Sequence, residues 1–272
     1  MNSPSVAVNR TYPFPKAVTT IEKPESHGSD SCRFSLTDLC NFFGISMPSG
    51  RKNSEFYFQH LQFKSGQKVF TIGQEFSSIY IVHSGFLKTS SINNSGNEQI
   101  LCFPMKGDIM GVDGIHNKNY KSEVTALSDC NLISLPLKTL ILVAHEHNEL
   151  EELMYRMISS ELIREQEMIG IMGSQNAESR VAFFLVQLSD RFHLMGYSAK
   201  SFILRMSREE IGSYLGLSME TVSRSFSQFD RIGAINVRAR HVDINSKEVL
   251  EQLYKFPESK IGSTTKSRML AK

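Results

Sequence analysis

The sequence contains no run of about 18 consecutive apolar residues, the length that a membrane-spanning helix needs. Its first residues also lack a positively charged segment followed by an apolar stretch, so the pattern of a secretory signal peptide is missing. Cysteine is scarce, with four residues in a chain of 272, and this number is too small for a disulfide scaffold. These absences predict a cytoplasmic protein with no membrane partner.

Neither sign of charge dominates, since 30 Lys and Arg residues face 28 Asp and Glu residues, for a net charge of +2. A balance this even does not exclude a nucleic-acid partner, because binding depends on where the basic residues lie. The chain is long enough for two domains with separate hydrophobic cores. Function therefore has to be inferred from local patterns.

The chain divides into segments that differ in composition and in hydrophobic periodicity, and together they predict an α+β fold. Residues 1–31 hold prolines among Ser, Thr and Asn without any sustained period, which is typical of a flexible tail, and residues 257–272 have the same texture. Between the tails we expect a β-rich domain at 32–148, a long helix at 149–174 and a helical C-terminal domain at 175–256.

The β-rich segment consists of short runs of Ile, Val, Phe and Tyr separated by Gly and Asn turns. Several short strands with regularly spaced turns are typical of a β-barrel or jelly roll. The predicted strands lie at 69–72, 78–82, 86–90, 98–103, 122–127 and 131–135, with a turn region at 107–114.

The segment at 149–174 has apolar residues at a spacing of three to four, which suits a helix that pairs with another helix. Because this segment joins a β-rich half to a helical half, we predict a homodimer contact there. The alternative is a helix packed on its own domain. The residues expected at the contact are Leu150, Leu153, Met157, Glu165, Met168 and Ile171.

Two helix N-caps lie close together near the C-terminus. Ser207 and Glu210 form a capping-box pattern that opens one short helix, and Ser218 is the N-cap of the next. Gly216 lies between them and can adopt positive φ without a Cβ penalty. Two short capped helices joined by a glycine turn predict a helix-turn-helix at 207–230.

The second of these helices separates its faces. Glu220, Ser223 and Arg224 share one side, whereas the apolar residues Val222, Phe226 and Phe229 lie on the other. This trio suits base recognition in a major groove, where arginine donates two hydrogen bonds to guanine and glutamate accepts from cytosine. The alternative is an intrahelical Glu220–Arg224 ion pair, worth about 0.2–0.5 kcal/mol.

Alternating residues at 233–237 and 241–244 predict a hairpin, the wing of a winged helix. Arg238 and Arg240 at its tip are expected to contact phosphates, which position a protein without specifying sequence; the alternative is a solvated turn. Further backbone contacts are expected from Ser207, Ser218 and Thr221.

The stretch Leu215–Arg224 (LGLSMETVSR) resembles the recognition region of the CRP/FNR transcription regulators, and of the FNR branch in particular. The resemblance covers roughly residues 32–256. It includes Gly66-Gln67, Tyr80–Gly85, Gly96–Ile100, Gly107–Gly111 and Asn176–Ala182. It implies a sensory barrel like that of cyclic-nucleotide-binding domains, a dimerisation helix and a C-terminal winged helix-turn-helix.

The same resemblance implies a function in transcription. FNR-branch members bind a TTGAT…ATCAA palindrome as dimers and act through RNA polymerase, often under oxygen limitation or exposure to nitrogen oxides. The Glu, Ser and Arg of their recognition helix fall on Glu220, Ser223 and Arg224. An acidic residue at the position of Glu165 opposes its symmetry mate in oxygen-sensing relatives and weakens the dimer; an exposed glutamate without this role is the alternative.

The residues that hold cofactors in the family are only partly present in this sequence. Iron–sulfur members use four cysteines, and Cys32 and Cys40 match two of them, but Ser35 stands at a third. Cys130 is displaced by three residues from the fourth position. We therefore expect at most a remnant of an iron–sulfur site, or one rearranged onto Cys130 or Cys102. Cyclic nucleotide is not expected to bind because Asp108 is a shorter acceptor and Lys121 lacks the fork of an arginine.

A different class of function is a barrel that binds a small molecule, such as a cyclic nucleotide, and a C-terminal domain that acts on a protein partner. The outward trio on the second helix argues against it. The sequence contains no nucleophile–base arrangement, phosphate-binding glycine loop or zinc spacing, so an enzyme is not expected.

Overall fold

The computed structural model describes residues 33–45, 56–174 and 176–255. The predicted tails at 1–31 and 257–272 and the candidate ligand Cys32 lie outside the described residues.

The runs of β-branched and aromatic residues form two antiparallel sheets in the N-terminal half of the chain. One sheet has the order β1-β2-β9-β4-β7 and the other the order β3-β8-β5-β6, so the two sheets together form the predicted jelly-roll barrel. The strands are β1 (Arg33–Ser35), β2 (Tyr57–Phe63), β3 (Lys68–Phe70), β4 (Ser78–Ser84), β5 (Leu87–Ile92), β6 (Glu98–Cys102), β7 (Ile109–Met110), β8 (Glu123–Ala126) and β9 (Cys130–Pro136).

Each predicted strand is present within two residues at either end, because glycine and asparagine turns separate the apolar runs. Strands β1, β2 and β7 and two helices of this half were not predicted. Strands β1 and β2 pair with each other, and β2 also pairs with β9, whereas β7 lies in the predicted turn region and pairs with β4. The helices are α1 (Leu36–Phe42), which has a capping box at Ser35, and the short α2 (Gly114–Asn117).

Three helices follow the barrel: α3 (Leu137–Glu146), α4 (Asn148–Ser174) and α5 (Ala177–Leu194). The first turns of α4 belong to the barrel core. Leu150, Leu153 and Met157 are all buried within the chain, in one hydrophobic cluster with residues of β2, β4 and β9. This corrects the prediction that these three residues contact a second chain, because their apolar surface is already covered by the barrel.

Further along α4, large apolar side chains are exposed and not buried against the barrel. Tyr155, Leu162 and Ile169 are 64%, 52% and 70% exposed, respectively. Of the other predicted contact residues, Met168 is half-buried against α5 and Ile171 is half-buried, whereas Glu165 is exposed.

The C-terminal part contains α6 (Arg208–Leu215), α7 (Met219–Arg231) and α8 (Lys247–Lys255), with a sheet of order β10-β12-β11. Its strands are β10 (Ser201–Ile203), β11 (Ile235–Arg238) and β12 (His241–Ile244). Strand β10 and helix α8 were not predicted. The sheet packs with α5, α6 and α7 in a cluster that also includes Ile100, Phe103 and Met105 of the barrel.

The barrel contacts the first helix of the helix-turn-helix directly. The backbone N–H of Ile100 donates to Ser213 Oγ at 2.9 Å, and Lys88 Nζ lies 3.1 Å from Glu210 Oε1. A glutamate of the predicted capping box is therefore also part of the contact between the two halves.

Candidate nucleic-acid interface

Helices α6 and α7 have the predicted caps. Ser207 Oγ accepts from the backbone N–H of Glu210 at 3.0 Å, and the Glu210 carboxylate accepts from the backbone N–H of Ser207 at 2.7 Å. Ser218 Oγ accepts from the backbone N–H of Thr221 at 3.2 Å. Gly216 has φ +64°, the left-handed conformation that lets α6 end and the chain turn within three residues.

A second glycine, which sequence reasoning missed, sets the distance between the two helices. A Cβ on Gly212 would lie 2.7 Å from the carbonyl oxygen of Leu217. Any side chain at this position would therefore push the turn away from α6. The residue could have been found only by a close approach in three dimensions, since it lies inside a helix where glycine is unfavourable by itself.

Helix α7 separates its faces as predicted. Val222 and Phe229 are fully buried and Phe226 is 3% exposed, whereas Glu220 and Arg224 are exposed and Ser223 is half-buried on the outer side. Arg224 Nη2 donates to Thr221 Oγ1 at 3.2 Å, so the guanidinium is oriented by Thr221. No Glu220–Arg224 ion pair is found among the described residues.

The glutamate on this face carries a charge at neutral pH. Its own backbone N–H and the Ser218 hydroxyl hold the pKa of Glu220 below its ordinary value. A charged carboxylate at the first turn of α7 is favourable near the helix N-terminus. It is also an acceptor for the amino group of a base.

Arg208 is a candidate that sequence reasoning missed. Its guanidinium lies 3.4 Å from the centre of the Phe226 ring, so the first residue of α6 is stacked on the buried side of α7. Burial lowers the pKa of Arg208 to about 10, which leaves it charged at neutral pH. No ion pair or side-chain hydrogen bond of Arg208 is found within the described part of the chain, and the residue is half-buried.

The predicted wing is a hairpin of β11 and β12, in register from Ile235↔Ile244 to Arg238↔His241. Arg238, Ala239 and Arg240 at its tip are exposed, and Ala239 has φ +54°. Arg240 Nη1 donates to the carbonyl oxygen of Arg205 at 3.2 Å. Arg238 therefore ends β11, and Arg240 lies in the turn that connects β11 to β12.

The described cysteines of the candidate iron–sulfur remnant do not form a common site. Cys40 is buried in the cluster between the barrel and α4, and Cys130 is buried in a different cluster. Burial raises the pKa of each thiol to about 11, whereas a metal ligand needs to be a thiolate. No cluster of three or more candidate ligands is present in the described ranges. Cys40 and Cys130 therefore do not fit the ligand set of an iron–sulfur cluster.

The groups that the resemblance assigned to a nucleotide are engaged elsewhere. Both carboxylate oxygens of Asp108 accept from arginines, Arg164 and Arg191. The Ser122 hydroxyl donates to Asp113 at 2.8 Å, and the backbone N–H of Lys121 donates to the same carboxylate at 3.0 Å.

A jelly-roll barrel joined through a long helix to a winged helix-turn-helix with an exposed Glu–Ser–Arg face defines a DNA-binding transcription regulator rather than an enzyme. Comparison with known proteins supports this class. The cyclic nucleotide-binding domain family matches residues 60–147, and the Crp-like helix-turn-helix domain family matches residues 179–253. The chain belongs to the CRP/FNR family of transcription regulators.

Proteins that are similar over most of the chain are named as regulatory proteins. The transcriptional regulatory protein btr of Bordetella pertussis is 34% identical over 230 residues, which cover 85% of this chain and 94% of that protein. The anaerobic regulatory protein of Haemophilus influenzae is 34% identical, covering 84% and 88%. The fumarate and nitrate reduction regulatory protein of Escherichia coli is 36% identical, covering 70% and 76%.

Solved structures show the same fold. FixK2 from Bradyrhizobium japonicum superimposes with a TM-score of 0.65 at 24% identity, covering 72% of this chain and 96% of that one. The CRP/FNR-family regulator TTHA1359 from Thermus thermophilus has a TM-score of 0.59 at 19% identity, covering 72% and 98%. No helix within the described residues is long and apolar enough to span a membrane.

Proposed function

We propose that this regulator binds a TTGAT…ATCAA-like palindrome as a homodimer and acts through RNA polymerase in a response to oxygen or nitrogen oxides. The observation that supports the DNA site best is the outer face of α7. Glu220 and Arg224 project from the opposite side of the helix to its buried residues, and Thr221 holds the arginine. This side-chain set matches the family members that recognise the half-site TTGAT.

The positions of three arginines and of two helix N-termini support contacts with the DNA backbone on either side of α7. Arg208 at the start of α6 and Arg238 and Arg240 on the wing are exposed or half-buried cations on the same domain. Ser207, Ser218 and Thr221 lie at the N-termini of α6 and α7, where backbone N–H groups favour a phosphate. We assign these residues to contacts with the DNA backbone.

The exposed face of α4 supports the homodimer. Tyr155, Leu162 and Ile169 are seven residues apart and exposed. Ile158, Glu165 and Met172 interleave with them at the alternate spacing of three and four. Apolar residues with this repeat form the seam of a two-helix coiled coil, and a second α4 around a two-fold axis is a self-complementary occupant. Glu165 is the charged member of this seam.

The signal is inferred from relatives. The Haemophilus influenzae relative is named for anaerobic regulation, and the Escherichia coli relative for fumarate and nitrate reduction.

With purified RNA polymerase and a promoter that carries the palindrome, we expect wild type to change the amount of run-off transcript. An unchanged transcript in the presence of bound protein would contradict the proposed action through polymerase.

A gel-shift titration tests the DNA site. Wild type should bind a TTGAT…ATCAA duplex, and Arg224→Ala should bind at least about tenfold more weakly, since a bidentate base contact is worth about 1–3 kcal/mol. Arg231→Ala is the matched control, because it removes an exposed arginine from the last turn of the same helix. Equal binding to a scrambled duplex would overturn the proposed sequence specificity, and absence of binding to both duplexes would favour a protein partner for this domain.

A further inference from the structure

A cavity lies where the barrel, α4, α5 and α6 meet. It is partly open to solvent, and side chains of the barrel and of all three helices line it. Its barrel side is formed by residues of β6 and of the segment between β6 and β7, and Tyr214 of α6 completes it. A molecule bound here would touch both halves of the chain.

The charged groups around the cavity are predominantly acidic. Four carboxylates against two guanidiniums leave a net charge of −2 when all are ionised. The carboxylates belong to Asp108, Glu161, Glu165 and Glu167, and the guanidiniums to Arg164 and Arg191.

Both guanidiniums are already neutralised by protein groups. Arg164 forms ion pairs with Asp108 and Glu161. Arg191 forms an ion pair with Asp108 and donates to the carbonyl oxygen of Phe103 at 3.2 Å. The pKa of Glu165 is raised, first by partial burial and second by the neighbouring Glu161 carboxylate. An anionic ligand would be repelled by the net negative charge around the cavity.

Three aromatic rings form one wall of the cavity. The ring centre of Phe103 lies 5.3 Å from that of Tyr214 and 6.2 Å from that of Phe184, and the last two rings are 6.0 Å apart. In each of the three pairs one ring is edge-on to the other, so the three ring planes are steeply inclined to one another. Ring faces attract organic cations, and quaternary ammonium groups are recognised by aromatic walls of this kind.

One hydrogen-bond donor at the cavity lacks a partner. Arg191 Nε is buried and has no hydrogen-bond acceptor among the described residues. Buried polar atoms are almost always paired, and an orphaned donor costs free energy. A ligand oxygen reaches this N–H once the Arg191 side chain turns towards the cavity on binding.

We propose that the cavity binds a small organic cation that also carries a hydrogen-bond acceptor, of the chemical class of the quaternary ammonium alcohols. The ammonium group lies between the aromatic wall and the carboxylates, and the hydroxyl oxygen accepts from Arg191. Because the barrel and the DNA-binding half both line the cavity, the ligand stabilises their relative position. The ligand binds the chain without DNA, and no residue of α7, the helix proposed to read the DNA bases, lines the cavity.

Isothermal titration calorimetry of the full chain without DNA tests the proposal, with choline as the probe. We expect saturable binding of choline. The neutral isostere, in which a tert-butyl group replaces the trimethylammonium group, should bind at least about tenfold more weakly because it lacks the charge. The midpoint of thermal unfolding should rise with choline concentration.

Two variants locate the site. Glu165→Gln should weaken choline binding by about tenfold and leave the binding of the neutral isostere unchanged. An effect that came only from a change in dimer affinity would alter the binding of both probes alike. Glu152→Gln makes the same chemical change at an exposed glutamate of α4 that does not line the cavity, and this variant should bind choline like wild type. Absence of choline binding, equal binding of the two probes, equal effects of the two substitutions, or displacement of choline by cyclic AMP would each overturn the proposal.

Discussion

The carboxylate of Asp108, in the barrel, accepts a hydrogen bond from the guanidinium of Arg191, which lies 83 residues later on α5. The other oxygen of Asp108 accepts from Arg164 Nη1 of α4 at 2.6 Å, and the backbone N–H of Met105 donates to the carboxylate at 2.8 Å. One side chain, 5% exposed, therefore joins the barrel, the long helix and the first helix after it.

Asp108→Ala should lower the free energy of unfolding by about 3 kcal/mol. The substitution leaves two largely buried guanidiniums without their shared anion. We place the loss at the low end for a buried pair because both arginines still reach solvent. Urea denaturation measures it. The control is Asp129→Ala, which breaks an exposed pair with Lys64 and should change little. Equal losses in the two variants would contradict the role of Asp108.

The same carboxylate predicts a dependence of stability on acid. Burial alone would raise the pKa of Asp108, but Arg164 and Arg191 outweigh burial and hold its pKa below the ordinary value. Because the folded pKa is depressed, this contribution is fully present above the unfolded pKa of about 3.9 and is lost as pH falls through the folded pKa. The stability difference between wild type and Asp108→Ala should therefore be constant from about pH 5 to 7 and shrink below about pH 4. A difference that grows in acid would contradict this sign.

Leu162→Ala should weaken the proposed homodimer by about tenfold or more. The side chain is 52% exposed in the single chain, and burial of a leucine in an interface is worth about 1.5–3 kcal/mol. Sedimentation velocity over a concentration series measures the association. Glu152→Ala, on an exposed part of α4 outside the seam, is the control. A dimer of unchanged affinity would show that α4 is not the interface.

Glu165→Ala should have the opposite effect and strengthen the homodimer. If Glu165 faces its symmetry mate, the substitution removes a like-charge contact. The raised pKa of Glu165, caused by burial and by Glu161, already indicates that its charge is disfavoured. Sedimentation at pH 7 compares the variant with wild type, and unchanged association would exclude the like-charge contact.

The wing predicts a change in salt dependence. If Arg238 and Arg240 each neutralise one phosphate, Arg238→Ala combined with Arg240→Ala removes four phosphate contacts from the homodimer and should reduce the slope of log K against log salt by about 3.6. The substitutions should weaken binding to specific and scrambled duplexes equally, since phosphates carry no sequence information. Arg33→Ala in the barrel is the control. A loss confined to the specific duplex would assign the wing to base recognition.

The sequence by itself determined the elements whose signals are local. The caps at Ser207 and Ser218, the glycine between them and the apolar positions of α7 predict the helix-turn-helix, and the structure confirms each of these features. A cap is a hydrogen bond over three residues and a positive φ belongs to one residue, so neighbouring positions contain the whole signal.

Only the tertiary structure decided which partners distant residues have. The periodicity of α4 could not tell a side chain that faces the barrel from one that faces a second chain, and Leu150 and Leu153 proved to be core residues. Asp108, Arg164 and Arg191 are far apart in the chain and show no common pattern, yet they meet at one buried point. Burial and ion pairing depend on contacts between segments, and the spacing of residues along one segment does not record them.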